Sequence, residues 1–417
     1  MAHKKGTQTM ISKISVKDYR SCLNTTFELH PNLSVLIGPN SAGKTNILYA
    51  LLLLKRLIDE ENYPYHPTEK PTGQCMLKVW FDVGGKKIFL NAIVDIFTDD
   101  GNNDVVVSSN QYWTAKDFTG NQKQIRFPLS MVREFVWAKE HDRVGRVMRR
   151  RRYVFGPGSR FEVPNKVIKP LTAIVNTLWE MRYYSASQFT TPADCPVSFE
   201  IEKEGKYRRG IGLRRHAKFL FDLYTSWKSA EANAYSQFFE IVGPKGIGLV
   251  DDIIFKEIPT SSIDYSVRSG GRVIQNKREK ILIVPQFRIA KNELSPSQLS
   301  EGTFKTITLL FYLVTEASRL LLIEEPEVCV HQGLLSSIIE LIKTYSVDKQ
   351  IVVSTHSDFV LDEVDPENVY RVTKSPDTGT NVAHITKAMS RRELSALHHY
   401  LETEGNLGEY WRHGGLG

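Results

Sequence analysis

The chain is poor in cysteine, with four in 417 residues, and Cys22, Cys75, Cys195 and Cys329 form no Cys-x-x-Cys pair and have no histidine ligand set beside them. That scatter excludes a disulfide framework and a zinc site and predicts buried free thiols. Long apolar runs are missing too. The longest, Ile47–Leu54, is interrupted by Tyr49 and falls well short of the ~20 residues a bilayer span needs. No membrane partner is expected. The opening MAHKKGTQTM has basic residues with no apolar stretch behind them, so residues 1–10 read as a flexible tail rather than a secretory signal. The expected location is the cytoplasm. No heptad seam is sustained over several repeats, which excludes a long coiled-coil arm. No internal repeat is evident either.

What is present is the composition of an ordinary soluble globular chain, 41% hydrophobic and 24% charged, and long enough for one large or two merged domains. The formal charge of +7 and pI near 9.0 favour polyanionic partners only modestly. Local clustering says more: Arg143, Arg146 and the run Arg149, Arg150, Arg151, Arg152 sit together, and Arg208, Arg209, Arg214, Arg215 and Lys218 form a second group. DNA or RNA fits these clusters, and so does a solvated basic loop.

Strands are predicted over Ile11–Val16, Phe27–Leu29 and Leu33–Ile37, with a helix from Lys44 to about Asp59. Alternation in Met76–Val83 and Lys87–Phe97 across Gly84-Gly85 predicts a β-hairpin. Residues from about 130 to 245 are basic and largely helical in pattern, with Leu213–Val242 the longest helical stretch before Gly243-Pro244. Strands at Ile253–Ile258 and Ile281–Val284 lead into alternating helix and strand, which argues for a parallel sheet. The implied division is an N-terminal lobe over 11–130, a basic helical insertion over 131–250, a C-terminal lobe over 251–390, and a short helix and tail over 391–417.

Gly38-Pro39-Asn40-Ser41-Ala42-Gly43-Lys44-Thr45 matches G-x-x-x-x-G-K-[ST] between a strand and a helix. The bare pattern arises by chance in roughly one to two chains per hundred of this length, and the flanking strand and helix reduce that further. Its glycines let backbone N–H groups face phosphates, Lys44 reaches the β- and γ-phosphates of ATP, Thr45 ligates Mg²⁺, and Asn46 continues the nucleotide contact. Leu320–Glu327 is an apolar strand ending in carboxylates: Glu324 would hold the metal, and Glu325 would polarise the attacking water. By itself such a strand and acidic loop is common. Leu299-Ser300-Glu301-Gly302-Thr303 precedes an apolar helix pattern, so Ser300 reads as an N-cap, and that helix start with Gly302 could receive a γ-phosphate. His356 follows the apolar strand Ile351–Ser354, where an imidazole could contact the same phosphate.

In order, these four elements resemble the ABC ATPase set of Walker A, LSGGQ-like signature, Walker B and switch histidine. Lys17-Asp18-Tyr19-Arg20-Ser21 resembles the opening of SMC, RecF and OLD-type members, and EEPEVCVHQ resembles the EEPExxLHP element of OLD and RecF-like ATPases, with Gln332 in place of the usual proline. Glu324 departs from the aspartate common in ABC proteins. The resemblance covers roughly 11–100 and 285–375. It implies an α/β fold, a two-lobed ABC ATPase head with a mixed N-terminal β lobe, a P-loop parallel-sheet lobe and a basic, mainly helical insertion. It also implies Arg20 and Ser21 near the nucleotide, Gln188 of YYSASQ as the metal-side glutamine, and ATP-dependent pairing as a homodimer or higher even oligomer, the signature of one copy covering the nucleotide of the other. The ATPase subunits of the Septu and PARIS antiphage systems are similar, which points to a sensor or scaffold ATPase working with a separately encoded effector such as a nuclease. A RecF-like DNA-repair ATPase is the alternative. A self-contained OLD nuclease is disfavoured, because only roughly sixty residues follow His356 and no acidic metal cluster is apparent among them.

Overall fold

The computed structural model describes residues 9–58, 73–98, 104–116, 124–128, 134–141, 147–154, 165–185, 191–202, 215–229, 233–267, 273–315, 318–328 and 330–414. Within these, only the backbone is described for 97–168, 202, 215, 233 and 262–278. The strands are β1 Thr9–Tyr19, β2 Cys22–Glu28, β3 Leu33–Ile37, β4 Gly73–Val83, β5 Lys86–Thr98, β6 Asp104–Lys116, β7 Gln124–Pro128, β8 Glu134–His141, β9 Val147–Val154, β10 Arg182–Ser185, β11 Phe199–Glu202, β12 Asp252–Val267, β13 Val273–Ile289, β14 Asn292–Leu294, β15 Leu320–Glu324, β16 Gln350–Thr355, β17 Val369–Ser375 and β18 Gly379–His384. The helices are α1 Lys44–Ile58, α2 Asn165–Glu180, α3 Arg215–Lys228, α4 Asn233–Val242, α5 Glu301–Thr315, α6 Gln332–Ser346, α7 Asp358–Asp362, α8 Ile385–Ala388, α9 Arg391–Thr403 and α10 Leu407–Arg412.

Contacts divide the chain into one unit of Met1–Tyr184, Ala317–Pro326 and Ile339–Gly417, and another of Ser185–Glu316 and Glu327–Ile338. The first unit holds a sheet in the order β2-β1-β4-β5-β6-β7. Burial alternates along β4, as it must when one sheet face packs on a core and the other does not. Gly84 and Gly85 join β4 to β5 with φ of 57° and 81°, the left-handed pair that a two-residue hairpin turn requires. The second sheet runs β10-β15-β16-β3-β17-β18, and β15, β16, β3 and β17 are mutually parallel. Every residue of β3, β15 and β16 is buried, the continuous apolar pattern of a parallel sheet covered on both faces. One hydrophobic core joins Ile47, Leu51 and Leu54 of α1 to Val16 of β1, Leu77 of β4, Leu178 of α2 and Leu322 of β15. Full burial of each such leucine is worth about 1.5–3 kcal/mol.

In the second unit, β12 and β13 form a long antiparallel ribbon from Asp252↔Arg288 to Val267↔Val273, edged by β11 and β14. Its helical core is aromatic: Phe304 and Phe311 of α5 meet Phe219 of α3 edge-on, and Phe311 also meets Phe238 of α4.

The segment expected to be largely helical begins instead with the β8–β9 pair. Val136 and Trp137 in β8 and the cross-strand pairing outweigh the helix propensity of the arginine run. The single stretch expected over Leu213–Val242 is two helices, α3 and α4. Cys22, Cys75 and Cys195 are buried free thiols, and burial pushes the Cys195 thiol up to about 12; Cys329 lies outside the described residues. No helix among the described residues is long and apolar enough to cross a membrane.

Candidate functional site

The site begins where β3 delivers the chain to Gly38. A β-carbon there would lie 2.2 Å from the Val372 carbonyl oxygen, and one at Gly43 would lie 2.0 Å from Thr380 Oγ1. Only glycine permits these approaches. Ser41 at φ 65° and Gly43 at φ 105° curl the loop before α1 starts at Lys44. Lys44 is buried, and its Nζ donates to the carbonyls of Gly38 (2.7 Å) and Pro39 (3.1 Å). The ammonium is thus folded back over its own loop, at the positive end of a helix, where phosphate oxygens would be stronger acceptors than neutral carbonyls.

Thr45, one residue on, donates from Oγ1 to Oε1 of Glu324 at 2.5 Å, and the Tyr183 hydroxyl donates to Oε2 of the same carboxylate. Glu324 is 8% exposed at the carboxyl end of β15. A hydroxyl and a carboxylate side by side are the hard oxygen donors that Mg²⁺ takes. Glu325 adopts φ 49°, a left-handed conformation that costs about 1–3 kcal/mol for a non-glycine residue, and its N–H donates to the Ser354 carbonyl at 2.8 Å. Its carboxylate Oε1 lies 3.4 Å from His356 Nδ1, with the two side chains 35% and 44% exposed. Ser354 Oγ, in β16 just before His356, is buried without a hydrogen-bond partner among the described residues. Cradle, cation, donor pair and water-facing carboxylate therefore fit a Mg²⁺-nucleoside triphosphate.

The β1–β2 turn closes one side. Asp18 and Arg20 take φ of 56° and 50°. Ser21 Oγ accepts from Asn46 Nδ2 (2.6 Å) and shares a hydrogen bond with Thr380 Oγ1 (2.8 Å), which donates to the Ala42 carbonyl (3.0 Å). The Arg20 guanidinium stands 4.6 Å from the Tyr49 ring centroid and 5.8 Å from that of Tyr19.

Among the described residues, the first unit thus brings together Arg20, Ser21, the loop from Gly38 to Asn46, Glu324, Glu325 and His356. Ser300 and Gly302 belong to the second unit. There, Thr303 N–H donates to Ser300 Oγ at 3.2 Å, the N-cap geometry expected at the start of α5. The Gly302 carbonyl accepts from Thr306 Oγ1 at 2.8 Å. Gln188 lies outside the described residues, as do the side chains of Arg149, Arg150, Arg151 and Arg152, whose backbone runs in β9. Thr380, Tyr49 and the Tyr183 hydroxyl carried no sequence signal. Thr380 is 359 residues from Ser21, and one threonine among many is invisible to pattern.

A glycine-rich loop between a buried parallel strand and a helix, with its lysine and a threonine joined to a strand-end glutamate, defines a P-loop nucleotide-binding protein. Residues 10–142 match the family model described as AAA ATPase domain, and residues 268–362 the one described as AAA domain, putative AbiEii toxin, Type IV TA system. Old nuclease of Escherichia phage P2 is 22% identical over 404 residues, covering 92% of this chain and 62% of that protein. DNA replication and repair protein RecF of Desulforamulus reducens is 27% identical over 97 residues, 20% of this chain and 26% of that one. The chain therefore spans less than two thirds of the length of either relative. Among solved structures, an SMC head bound to the C-winged helix domain of ScpA aligns at TM-score 0.48 and 12% identity over 90% of this chain and 97% of that one. The SMC head domain of Thermotoga maritima aligns at 0.41 and 12% over 90% and 98%. With this loop and its matches to two AAA-domain families, the chain is similar to P-loop ATPases.

Proposed function

We propose that this chain binds and hydrolyses ATP with Mg²⁺, and that ATP draws two copies together head to tail. Backbone N–H groups of the Gly38–Thr45 loop receive the phosphate oxygens, and Lys44 leaves its two carbonyls for the β- and γ-phosphates. Thr45 and Glu324 hold the metal side, Glu324 through water, with Gln188 the expected further ligand. Bound Mg²⁺ supplies charge neutralisation at the phosphates. Glu325 orients and polarises the attacking water, and His356 contacts the γ-phosphate. Arg20, Ser21 and Asn46 border the nucleotide, while Ser300 and Gly302 of one copy cover the nucleotide of the other. The observation that carries this reading is the convergence of Lys44, Thr45, Glu324, Glu325 and His356, drawn from three separate stretches of chain.

The ATPase cycle serves, in this reading, as the sensor or scaffold of a cytoplasmic antiphage defence system whose separately encoded effector, such as a nuclease, does the damage. The EEPEVCVHQ element and the likeness to Old nuclease support it. A second reading has its own support: the Old nuclease alignment covers 92% of this chain, which favours a nuclease of that kind. The RecF match favours a third, DNA-repair role. Purifying the chain with and without the product of its genomic neighbour, and assaying plasmid and RNA cleavage with ATP and Mg²⁺, separates these readings. Cleavage only with the neighbour is the expected result. Robust cleavage by the isolated chain, lost on mutating residues outside the ATP site, would overturn it, and ATP-dependent DNA binding without cleavage in either preparation would support the repair role.

A further inference from the structure

Thr45 and Tyr49 lie four residues apart on α1, which puts them on one face of the helix, a turn apart. Thr45 Oγ1 holds one oxygen of the Glu324 carboxylate. The Tyr49 ring meets the Tyr183 ring edge-on, with centroids 5.9 Å apart and planes at 61°, and the Tyr183 hydroxyl holds the other carboxylate oxygen. One helix face therefore reaches both oxygens of one buried carboxylate, once directly and once through a second aromatic ring. The strand order explains the reach of Tyr183, since β10 lies beside β15, which ends at Glu324.

A carboxylate offers about four lone-pair sites, so each oxygen of Glu324 keeps a further acceptor position while its first is occupied. With a hydroxyl donor on each side, the carboxylate plane cannot rotate without breaking a bond. Edge-to-face packing on Tyr49 fixes the donor in turn. We infer that Tyr183 is a positioning residue for the metal side of the ATP site, setting the plane in which Glu324 presents its remaining lone pairs, and that Tyr49 buttresses it. This inference deepens the ATPase reading and rests on it. Outer hydrogen-bond partners of this kind govern metal affinity rather than phosphate affinity, and their loss costs about 10–100-fold in metal binding.

The test uses full-length wild type, Tyr183→Phe and Tyr49→Leu. Binding of a fluorescent ATP analogue is measured in EDTA and then across a Mg²⁺ titration, and Mn²⁺ binding to the ATP-loaded proteins is followed by electron paramagnetic resonance. Tyr183→Phe should bind the analogue in EDTA within about twofold of wild type, yet need about tenfold more Mg²⁺ to reach its tight-binding state and hold Mn²⁺ correspondingly more weakly. Tyr49→Leu should move both metal midpoints the same way by less. If Tyr183→Phe does not fold, Tyr49→Leu decides by the same two midpoints. Metal midpoints equal to wild type would reduce Tyr183 to a packing residue and overturn the inference, and so would equal weakening in EDTA and in Mg²⁺. A folded wild type that binds no analogue at all is a separate failure, which sinks the ATP reading itself.

Discussion

Oε1 of Glu325 lies 3.4 Å from Nδ1 of His356, although the two residues leave different strands. Parallel pairing of β15 with β16 aligns Glu324 with Ser354, so both strands end at one level. The positive φ of Glu325 and its N–H bond to Ser354 then turn its side chain out of the strand line. Sheet register and one strained residue together place an acidic and an imidazole group at the same edge.

From that placement, Glu325→Gln should keep ATP binding, lose hydrolysis by about 10²-fold or more as expected for a lost general base, and accumulate an ATP-bound dimer. Lys44→Ala should weaken nucleotide binding itself by about 10–100-fold, the scale of a lost hydrogen bond to a charged group. Steady-state phosphate release, nucleotide titration and size-exclusion chromatography read the two apart. Hydrolysis by Glu325→Gln at the wild-type rate would remove Glu325 from its assigned role.

Pairing in trans makes a different demand. Lys44→Ala and Ser300→Arg chains, each inactive alone, should recover partial activity when mixed, because one composite site of the mixed dimer keeps both an intact loop and an intact signature. The expected yield is up to about one wild-type site per mixed dimer, half of the two in a wild-type dimer, and random pairing makes about half of the dimers mixed. Activity that stays absent in proven mixed dimers would count against a trans site.

Legibility followed locality. The loop, the strand before it and the helix after it are contiguous, and the expected helix from Lys44 to about Asp59 is α1, Lys44–Ile58. Gly84-Gly85 marked its hairpin because positive φ at two adjacent residues selects glycine. The β8–β9 pair was hidden, since its arginine run carries helix propensity and only the partner strand overrides it. The contacts of Thr380 with Ser21 and Ala42, and of Tyr183 with Glu324, join residues far apart in the chain, and a single hydroxyl at such a distance leaves no periodic trace.

Acid should weaken the fold through His30. Burial, opposed by Glu367 and assisted by His384, holds its imidazole below the ordinary histidine value, and its Nδ1 accepts from the N–H groups of Asn32 (3.2 Å) and Leu33 (3.4 Å). The unfolded chain therefore binds a proton that the folded chain resists, and stability falls as pH drops below about 6.5 toward the folded value. Replacement His30→Asn keeps an acceptor and removes the titration. Urea midpoints measured at pH 7.5 and 5.0 should differ less in His30→Asn than in wild type. Equal differences in the two proteins would show that another group titrates.

The arginine run of β9 offers the clearest test for a nucleic-acid partner. Arg149, Arg150, Arg151 and Arg152 pair in register with Lys139, Ala138, Trp137 and Val136 of β8. If the partner is duplex DNA, each neutralised phosphate adds about 0.9 to the slope of log affinity against log salt. Replacing all four with alanine should lower that slope by up to about 4. Fluorescence anisotropy with a short labelled duplex across 50–300 mM salt reads the slope, and single-stranded RNA of the same length gives the parallel value. A lowered slope supports contact between the run and the phosphates. An unchanged slope assigns the arginines to solvent and moves any polyanion site to the second basic group around Arg208, Arg209, Arg214, Arg215 and Lys218.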